Sequence, residues 1–454
     1  MANISKTINP KIRLLVTVLL LASTFVSLTS QTMMVTALPV IQNEMNVKLT
    51  AAQWLTTGYT LIIGIVTPLS SNMYEKFKNR TVFLGTIGTF IVGTFLGCIA
   101  TNFNTLLLAR LVQACAGGIL MSFQMTTMIS IYPPEKRGSI LGMSALIIAT
   151  GPAIGPTLSG AILEYLPWQW LFIIFVPIMI AIFVLGYFIF PNFSEPKDIK
   201  IDFVSVLLSL AGSGLALASL TVMIENIING LIMFVVGIIL VVIFVKRQLK
   251  LKHPMLKVQI VKYRSFRMMT LVGICAFMVL LGTEQMIPIF AEGVSHVSSM
   301  ESGMILLPGA IVNAVLAPFV GKIYDAKGPK FLIPIGFFLM IIASVPLVFV
   351  TNETPVWVLT VAYAVRLAGN AFCFSPAVSE AFLDVPHTDI SHATALNNAL
   401  RQISGAVSVT LMVVLSDLPG NLVSGTRLAF SFTVILIVAY LCIFLAYMSK
   451  RKES

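Results

Sequence analysis

Charged residues are scarce in this sequence, and their scarcity excludes a water-soluble fold. Asp, Glu, Lys and Arg together make up 10% of the 454 residues, whereas soluble domains carry about 25%. Cysteine is also rare, and the five cysteines lie in apolar stretches without the spacing of a disulfide framework or a metal site. We therefore expect the cysteines to pack as small apolar side chains.

The sequence also lacks the motifs of ATP-driven and catalytic proteins. No G-x-x-x-x-G-K phosphate-binding loop is present, so ATP is not expected to supply energy within this chain. We expect no cofactor, no metal and no enzymatic activity. Because neither an extramembrane sensor domain nor a pore motif is visible, a receptor or a channel is also disfavoured.

Apolar residues are abundant: 57% of the chain is hydrophobic, and the mean hydropathy is +0.95. A helix that crosses a bilayer needs about 20 mostly apolar residues, whereas a membrane β-barrel shows alternating segments of about ten. The sequence therefore predicts an all-α integral membrane protein. Its fourteen predicted spans are 13–36, 51–74, 81–101, 104–130, 138–162, 168–191, 203–222, 228–246, 266–291, 302–322, 329–350, 355–380, 391–415 and 425–448.

Positive charge is distributed unevenly between the two sides of these spans. Cytoplasmic loops retain Lys and Arg, and with a cytoplasmic N-terminus 24 of the 29 Lys and Arg residues fall on the inner side. Lys11 and Arg13 lead into the first span without a cleavage site, so we expect that span to stay as an anchor. Both termini are predicted to be cytoplasmic, in a multi-pass membrane protein. The net charge of +11 reflects this topology and does not indicate nucleic-acid binding.

A basic connector from Lys246 to Arg267 divides the chain. It predicts an N-terminal six-helix bundle (1–191), two additional transmembrane helices with a basic cytoplasmic linker (192–264), and a C-terminal six-helix bundle (265–454). The connector is either an inside-positive linker or a site for the anionic headgroups of membrane lipids.

The two six-span blocks share short sequence echoes at nearly one offset. Arg110-Leu111 in the fourth span returns as Arg366-Leu367 after 256 residues, and Ser30-Gln31 in the first span corresponds to Glu284-Gln285 after 254 residues. The loop residues 71–80 likewise correspond to 321–330, at an offset of 250. Parallel six-span repeats with a binding site between the halves are the layout of the major facilitator fold.

Two motifs in the fourth and fifth spans also favour this fold. The fourth span reads R-L-V-Q-A from Arg110, and the fifth reads G-P-A-I-G-P-T-L-S-G from Gly151. The first is similar to R-x-x-Q-G and the second to G-P-x-x-G-P-x-x-G-G, so the chain resembles the fourteen-span drug:proton antiporter branch of the major facilitator superfamily. The resemblance covers nearly the whole chain. It implies a multi-pass protein of the bacterial cytoplasmic membrane, export driven by a proton gradient and a role for Arg110 in proton relay.

The sequence departs from this family pattern in the first span. Exporters of the branch carry an Asp two residues before a Thr and ahead of A-L-P, but here Ser30 precedes Thr32 and residues 37–39. The first loop motif also has Lys78 and Asn79 where Gly and Arg are expected. The fold is unaffected by these changes, but the usual proton-binding acid is missing.

Glu284 is the acid that the repeat places at the position of Ser30, and it is the only acid well inside a predicted span. A charged group there costs about 3 kcal/mol unless it is paired or wetted. Glu284 is therefore predicted to carry the proton, and Glu164 at the outer end of the fifth span is the next candidate. The alternative is that Glu284 lies near the outer membrane interface, where water hydrates its carboxyl.

Two arginines are related by the same repeat and lie too deep to be loop residues. Arg110 and Arg366 are predicted either to act on a carboxylate or an anionic substrate group, or to be structural cations bonded to helix carbonyls.

The other predicted site residues form two groups. Polar, aromatic and methionine side chains are predicted to line an adaptable substrate cavity, although lipid contact or helix packing is the alternative for each: Ser30, Gln31, Trp54, Tyr59, Gln113, Met121, Gln124, Arg366, Asn397, Asn398 and Arg401. Small residues, prolines and loop charges are predicted to control packing and gating, although the loop charges can equally be topology signals: Gly151, Pro152, Gly155, Pro156, Glu75, Arg80, Gly321, Asp325 and Gly328.

These observations favour a monomeric, proton-coupled antiporter that exports amphipathic drugs and dyes, such as quinolones and cationic dyes, by alternating access. The alternative is a proton-coupled transporter of an endogenous lipid, amino acid or other metabolite, because a fold does not fix a substrate.

Overall fold

The structure, a computed structural model, describes residues 9–132, 134–192, 196, 202–251, 254–386 and 389–451. Over these residues the secondary structure is helical and contains no strand. The main helices are α1 (Pro10–Glu44), α2 (Trp54–Val66), α3 (Asn79–Cys98), α4 (Phe103–Ile131), α5 (Pro134–Tyr165), α6 (Phe175–Ile189), α7 (Phe203–Glu225), α8 (Ile227–Lys250), α9 (Arg264–Gly293), α10 (Ser299–Lys327), α11 (Pro329–Val348), α12 (Val356–Ala381), α13 (Ile390–Asp417) and α14 (Leu422–Arg451). Short helices occur at Leu49–Ala52, Leu69–Lys76, Trp170–Ile173 and, as a 3-10 turn, Val258–Lys262.

Thirteen helical stretches among the described residues are long and apolar enough to cross a membrane. They follow the order of the predicted spans, and α5 is the main helix that is not among them. The all-α integral membrane fold predicted from the sequence is therefore confirmed. The count of fourteen spans and the side on which the termini lie stay predictions.

Helix boundaries follow from residues that start or end hydrogen-bonded turns. Ser298 and Glu301 form a capping box at the start of α10, where each side chain accepts a hydrogen bond from the backbone N–H of the other, at 3.2 and 3.0 Å. After α10, Gly328 has a φ of +67°, a conformation that glycine adopts more readily than residues with a Cβ. Pro329 then begins α11, where its missing N–H costs no helical hydrogen bond. The pair forms a tight turn between two helices.

The main helices pack as two groups with α7 and α8 beside them. Helices α1 to α6 form one group and α9 to α14 the other, and the groups meet along α5 with α10, α2 with α13 and α1 with α9. Helices α7 and α8 pack against each other, and α7 also contacts α2 and α13. The three contacting pairs therefore enclose the region where a site between the halves lies in this kind of fold.

One ion pair joins the two additional helices to each other, and another joins the basic linker to the C-terminal group. Arg247 at the end of α8 donates to the Asp202 carboxylate before α7, Nε to Oδ2 at 2.8 Å and Nη2 to Oδ1 at 3.0 Å. These bonds lower the pKa of Asp202 to about 2. Lys257 of the linker pairs with Asp389, beside the start of α13, at 2.6 Å. The linker is thus held on the C-terminal group of helices.

Chemical labelling of two loops tests the predicted orientation. In a cysteine-free background, we expect Lys78→Cys, before α3, to react with a membrane-impermeant maleimide only in inside-out vesicles. Glu353→Cys, between α11 and α12, should react only from outside intact cells. Both native side chains are exposed, so the reagent can reach either position. Labelling of Glu353→Cys from the cytoplasmic side would contradict the predicted span count, because the side of each loop determines the side of the next.

Candidate functional site

Small residues let α5 approach helices of both groups. At Gly155, a methyl group in place of a hydrogen would overlap the Thr32 hydroxyl of α1. On the side toward α10, a Cβ on Gly303 would lie 2.5 Å from the Pro156 carbonyl oxygen, and Thr157 Oγ1 donates to the Gly303 carbonyl oxygen at 3.2 Å. Helix α5 therefore fills the space between α1 of its own group and α10 of the other, and the glycines permit this proximity.

The Arg110 guanidinium of α4 is fully buried and bonds mainly to backbone of α1 and α2. Its Nη1 donates to the Ser30 carbonyl oxygen at 3.1 Å and to Ser30 Oγ at 3.2 Å. Its Nη2 donates to the Gln31 carbonyl oxygen at 3.3 Å, and its Nε to that of Leu55 at 3.3 Å. Ser30, which stands where the resemblance leads one to expect an Asp, is thus a direct partner of Arg110.

Two further side chains complete the surroundings of Arg110. The Gln113 side-chain oxygen, Oε1, accepts from Nη1 at 3.1 Å, and the side-chain amide, Nε2, donates to Thr94 Oγ1 of α3 at 2.9 Å. The guanidinium carbon lies 4.0 Å from the centre of the Tyr59 ring, close enough for a cation–π contact. Arg110 therefore joins α1, α2 and α4 into one unit, which agrees with the reading of a structural cation.

Arg110→Lys tests this structural role. The ammonium has three donors in a different geometry, so it cannot reach all these acceptors, and buried acceptors without partners cost about 1–3 kcal/mol each. We expect the detergent-solubilised variant to unfold at a temperature several degrees lower. Arg264→Lys at the exposed start of α9 is the control and should leave the melting temperature unchanged. Equal melting temperatures for Arg110→Lys and wild type would contradict the role.

Glu284 lies in the second half of α9, the helix that contacts α1 of the other group, and its side chain is 3% exposed. The buried residues Met286 and Ile287 follow it on the helix. Tyr363 of α12 lies within electrostatic range of its carboxyl, and no ion pair among the described residues includes Glu284. The carboxyl is therefore buried beside α12 of its own group in mainly apolar surroundings, on a helix that also contacts α1 of the other group.

Arg366 corresponds to Arg110 in the internal repeat, but it does not pair with Glu284. Its Nη1 donates to Ser344 Oγ of α11 at 2.9 Å, and its Nη2 donates to Thr433 Oγ1 of α14 at 2.6 Å. The repeat therefore predicts the position of this arginine in the chain but not its partners.

Helix α13 carries the polar turn predicted for the cavity. The Asn397 amide donates to Thr270 Oγ1 of α9 at 3.0 Å, and Asn398 accepts from Arg401 Nη2 through its side-chain oxygen. The Gln402 amide lies 4.0 Å from the Met121 sulfur of α4, in the other group of helices. The turn therefore lies near the meeting of the halves.

Three other predicted residues lie at helix contacts or at a helix end. Trp54 packs against the apolar cluster of Leu61, Ile65, Leu217 and Ala406, where α2 meets α7 and α13. The Gln124 amide donates to Ser144 Oγ at 2.9 Å and so joins α4 to α5. Glu164 is exposed at the end of α5. These positions indicate packing for the first two residues and solvent contact for the third.

The loop charges contact neighbouring helix ends. Arg80 Nη2 donates to the backbone carbonyl oxygen of Tyr187 on α6. The Arg80 guanidinium carbon lies 4.8 Å from the centre of the Tyr187 ring. Glu75 lies within electrostatic range of His392 near the start of α13. Gly321 lies in α10, toward α12, and Gly328 forms the turn described above. Two predicted side chains lie outside the described part of the chain: Pro152 and Asp325.

Comparison with known families then decides the identity of this fold. The family model described as Major Facilitator Superfamily matches residues 20–409. The chain belongs to the major facilitator superfamily. It is accordingly a transporter and a multi-pass protein of the bacterial cell membrane, as its bacterial relatives are.

Relatives within the superfamily cover most of the chain. "Uncharacterized MFS-type transporter YcnB" of Bacillus subtilis (strain 168) is 37% identical over 398 residues, which are 87% of this chain and 84% of that protein. The lincomycin resistance protein LmrB of the same organism is 30% identical over 462 residues, 95% of each chain. The riboflavin transporter RibZ of Clostridioides difficile (strain 630) is 23% identical over 396 residues, 87% of this chain and 86% of that one.

A solved structure of the superfamily has the same fold. The crystal structure of a POT family transporter in complex with a thioalcohol-conjugated peptide matches 95% of this chain and 96% of that one, with a TM-score of 0.71 and 14% sequence identity. The major facilitator fold predicted from the internal repeat is therefore confirmed.

Two acids near helix ends of this major facilitator protein were not predicted from the sequence. Glu292, next to the last residue of α9, accepts a hydrogen bond from Ser299 Oγ of α10 at 3.3 Å. Glu380 in the last turn of α12 is 2% exposed and accepts from Tyr324 Oη of α10 at 2.7 Å. Both stood at the ends of predicted spans, where boundaries are uncertain by several residues. An acid within one helical turn of a predicted end is the signal that could have found them.

Proposed function

We propose that this transporter is a proton-coupled antiporter that exports amphipathic drugs and dyes by alternating access, as a monomer. The proposal rests chiefly on Glu284, an acid that is 3% exposed in the second half of the membrane-spanning helix α9. A carboxylate in such apolar surroundings is costly to keep charged, so the site favours exchange of a proton. LmrB is named for resistance to lincomycin, which supports export of a drug-like compound.

A proton cycle at Glu284 gives the transport its direction. Facing the outside, the carboxyl takes a proton from the side of higher proton concentration and becomes neutral, so it crosses the apolar interface at low cost. Facing the cytoplasm, it releases the proton, and the carboxylate attracts a basic group of the next substrate. The contacts of α5 with α10 and of α1 with α9 change during this rocking. Arg110 keeps α1, α2 and α4 together as one moving body.

A second candidate function is proton-coupled transport of an endogenous metabolite. The relative RibZ is named a riboflavin transporter, and riboflavin is a planar compound of drug size. The same membrane preparation distinguishes the two functions, because a drug and a metabolite can be offered separately and in competition.

The test is transport into inside-out membrane vesicles from a host that lacks its own drug exporters. With an imposed gradient, acid inside, we expect vesicles containing the transporter to accumulate a quinolone or a cationic dye several-fold above empty-vector vesicles. Collapse of the gradient with a protonophore should return accumulation to background. Accumulation that persists without a gradient would contradict proton coupling. Accumulation of riboflavin but of no drug would favour the second function.

A further inference from the structure

Two hydrogen-bond donors of Arg401 on α13 are reached by no acceptor in the part of the chain that the structure describes. Its Nε and Nη1 are buried and without a partner among the described residues, while Nη2 donates to Asn398. No ion pair in the described part of the chain includes this guanidinium. A buried donor without an acceptor costs about 1–3 kcal/mol, and more when it is charged. Such a group calls for an explanation beyond packing.

The other two buried arginines of the membrane region are more fully bonded. Arg110 donates from all three of its nitrogens. Arg366 donates from both terminal nitrogens and lacks an acceptor at Nε alone. Arg401 is therefore the arginine among the three with most capacity left to bind an anion.

Two aromatic rings border the Arg401 guanidinium. Its central carbon lies 4.5 Å from the centre of the Phe374 ring on α12 and 5.7 Å from that of Phe277 on α9. The neighbouring Gln402 reaches Met121 of the other group of helices, which places this cluster close to the meeting of the halves. Aromatic faces beside a cation suit a flat apolar compound that carries a negative group.

We propose that Arg401 binds the carboxylate of the transported compound, with Phe277 and Phe374 against its aromatic body. The inference rests on the proposed function and narrows its substrates to aromatic carboxylic acids, including zwitterions. Glu284 follows Phe277 by seven residues, so both lie on one face of α9 with a rise of about 10 Å between them. A drug-sized zwitterion can therefore place its carboxylate at Arg401 and its basic group toward Glu284.

The experiment measures equilibrium binding to the purified full chain in lipid nanodiscs, with two matched probes. One probe is a 4-quinolone-3-carboxylic acid, and the other is its methyl ester, which has the same rings without the negative charge. We expect wild type to bind the acid at least tenfold more tightly than the ester, a difference of about 1.4 kcal/mol. Arg401→Gln should remove this preference by weakening binding of the acid alone.

Arg264→Gln is the matched control, because it removes one positive charge from the exposed start of α9 and should leave the preference intact. Equal binding of acid and ester by wild type would overturn the proposal. This outcome needs no variant, so the proposal can be tested even if Arg401→Gln does not fold. Equal weakening of both probes by Arg401→Gln would overturn it too, because that result indicates a packing role. Because binding needs no proton gradient, this experiment tests carboxylate recognition alone. The vesicle experiment tests proton-coupled efflux, so the two proposals can fail independently.

Discussion

Glu284→Gln is expected to abolish uphill, gradient-driven efflux while leaving drug binding nearly intact. Glutamine keeps the size and hydrogen-bonding capacity of the neutral carboxyl but cannot exchange a proton, so substrate movement loses its coupling. Accumulation in inside-out vesicles should fall to the level of empty-vector vesicles. Binding of an uncharged or monocationic drug should stay within about tenfold of wild type, or about 1.4 kcal/mol. Wild-type binding should also vary with pH, and the variant should lose that dependence.

Two further variants make the result for Glu284 specific. Glu353→Gln removes a carboxylate from an exposed loop and should transport like wild type. Glu292→Gln removes the nearest other acid of α9, which already has a hydrogen-bond donor in Ser299. If Glu284→Gln pumps like wild type and Glu292→Gln does not, the proton is carried by Glu292. If both variants pump, the exposed Glu164 is the next residue to test.

The fold was predictable because the bilayer imposes a simple pattern. A spanning helix must satisfy its backbone polar groups internally, so long apolar runs correspond to helices almost one for one. The second predicted span, 51–74, shows where this pattern stops. Its helix ends at Val66 and a second one starts at Leu69, on either side of Pro68. Hydropathy does not indicate that break, because it measures only how apolar each residue is. Proline interrupts a helix for a different reason, since it has no backbone N–H to donate.

The sequence indicated the depth of two arginines but not their partners. The repeat placed Arg110 and Arg366 too deep to be loop residues, and both are buried. It gave no indication that Arg110 bonds to Ser30 while Arg366 turns toward α11 and α14. Helical spacing predicts which face a residue occupies but not which neighbouring helix that face meets. The unpaired donors of Arg401 depend on such contacts between helices distant in sequence.

Gly155→Leu is expected to reduce transport to background while the protein still inserts into the membrane. A Cβ at this position would overlap the Thr32 hydroxyl and lie 2.9 Å from the Thr29 carbonyl oxygen, so added bulk must push α5 away from α1. Overpacking of this kind costs about 1–3 kcal/mol. Because α5 also packs on α10 of the other group, its displacement should change the contact at which the halves rock. Leucine adds hydrophobicity, so insertion should be unaffected.

Gly85→Leu separates this steric effect from the addition of a leucine to a membrane helix. A Cβ on Gly85 of α3 meets no described atom within 4 Å, and the residue is exposed on the side available to lipid. That variant should reach the membrane in the same amount as Gly155→Leu and transport like wild type. Loss of transport in both variants would indicate a general intolerance of added bulk. Full transport by Gly155→Leu would show that the close contact between α5 and α1 is dispensable, and the movement would then have to be sought at the contacts of α2 with α13.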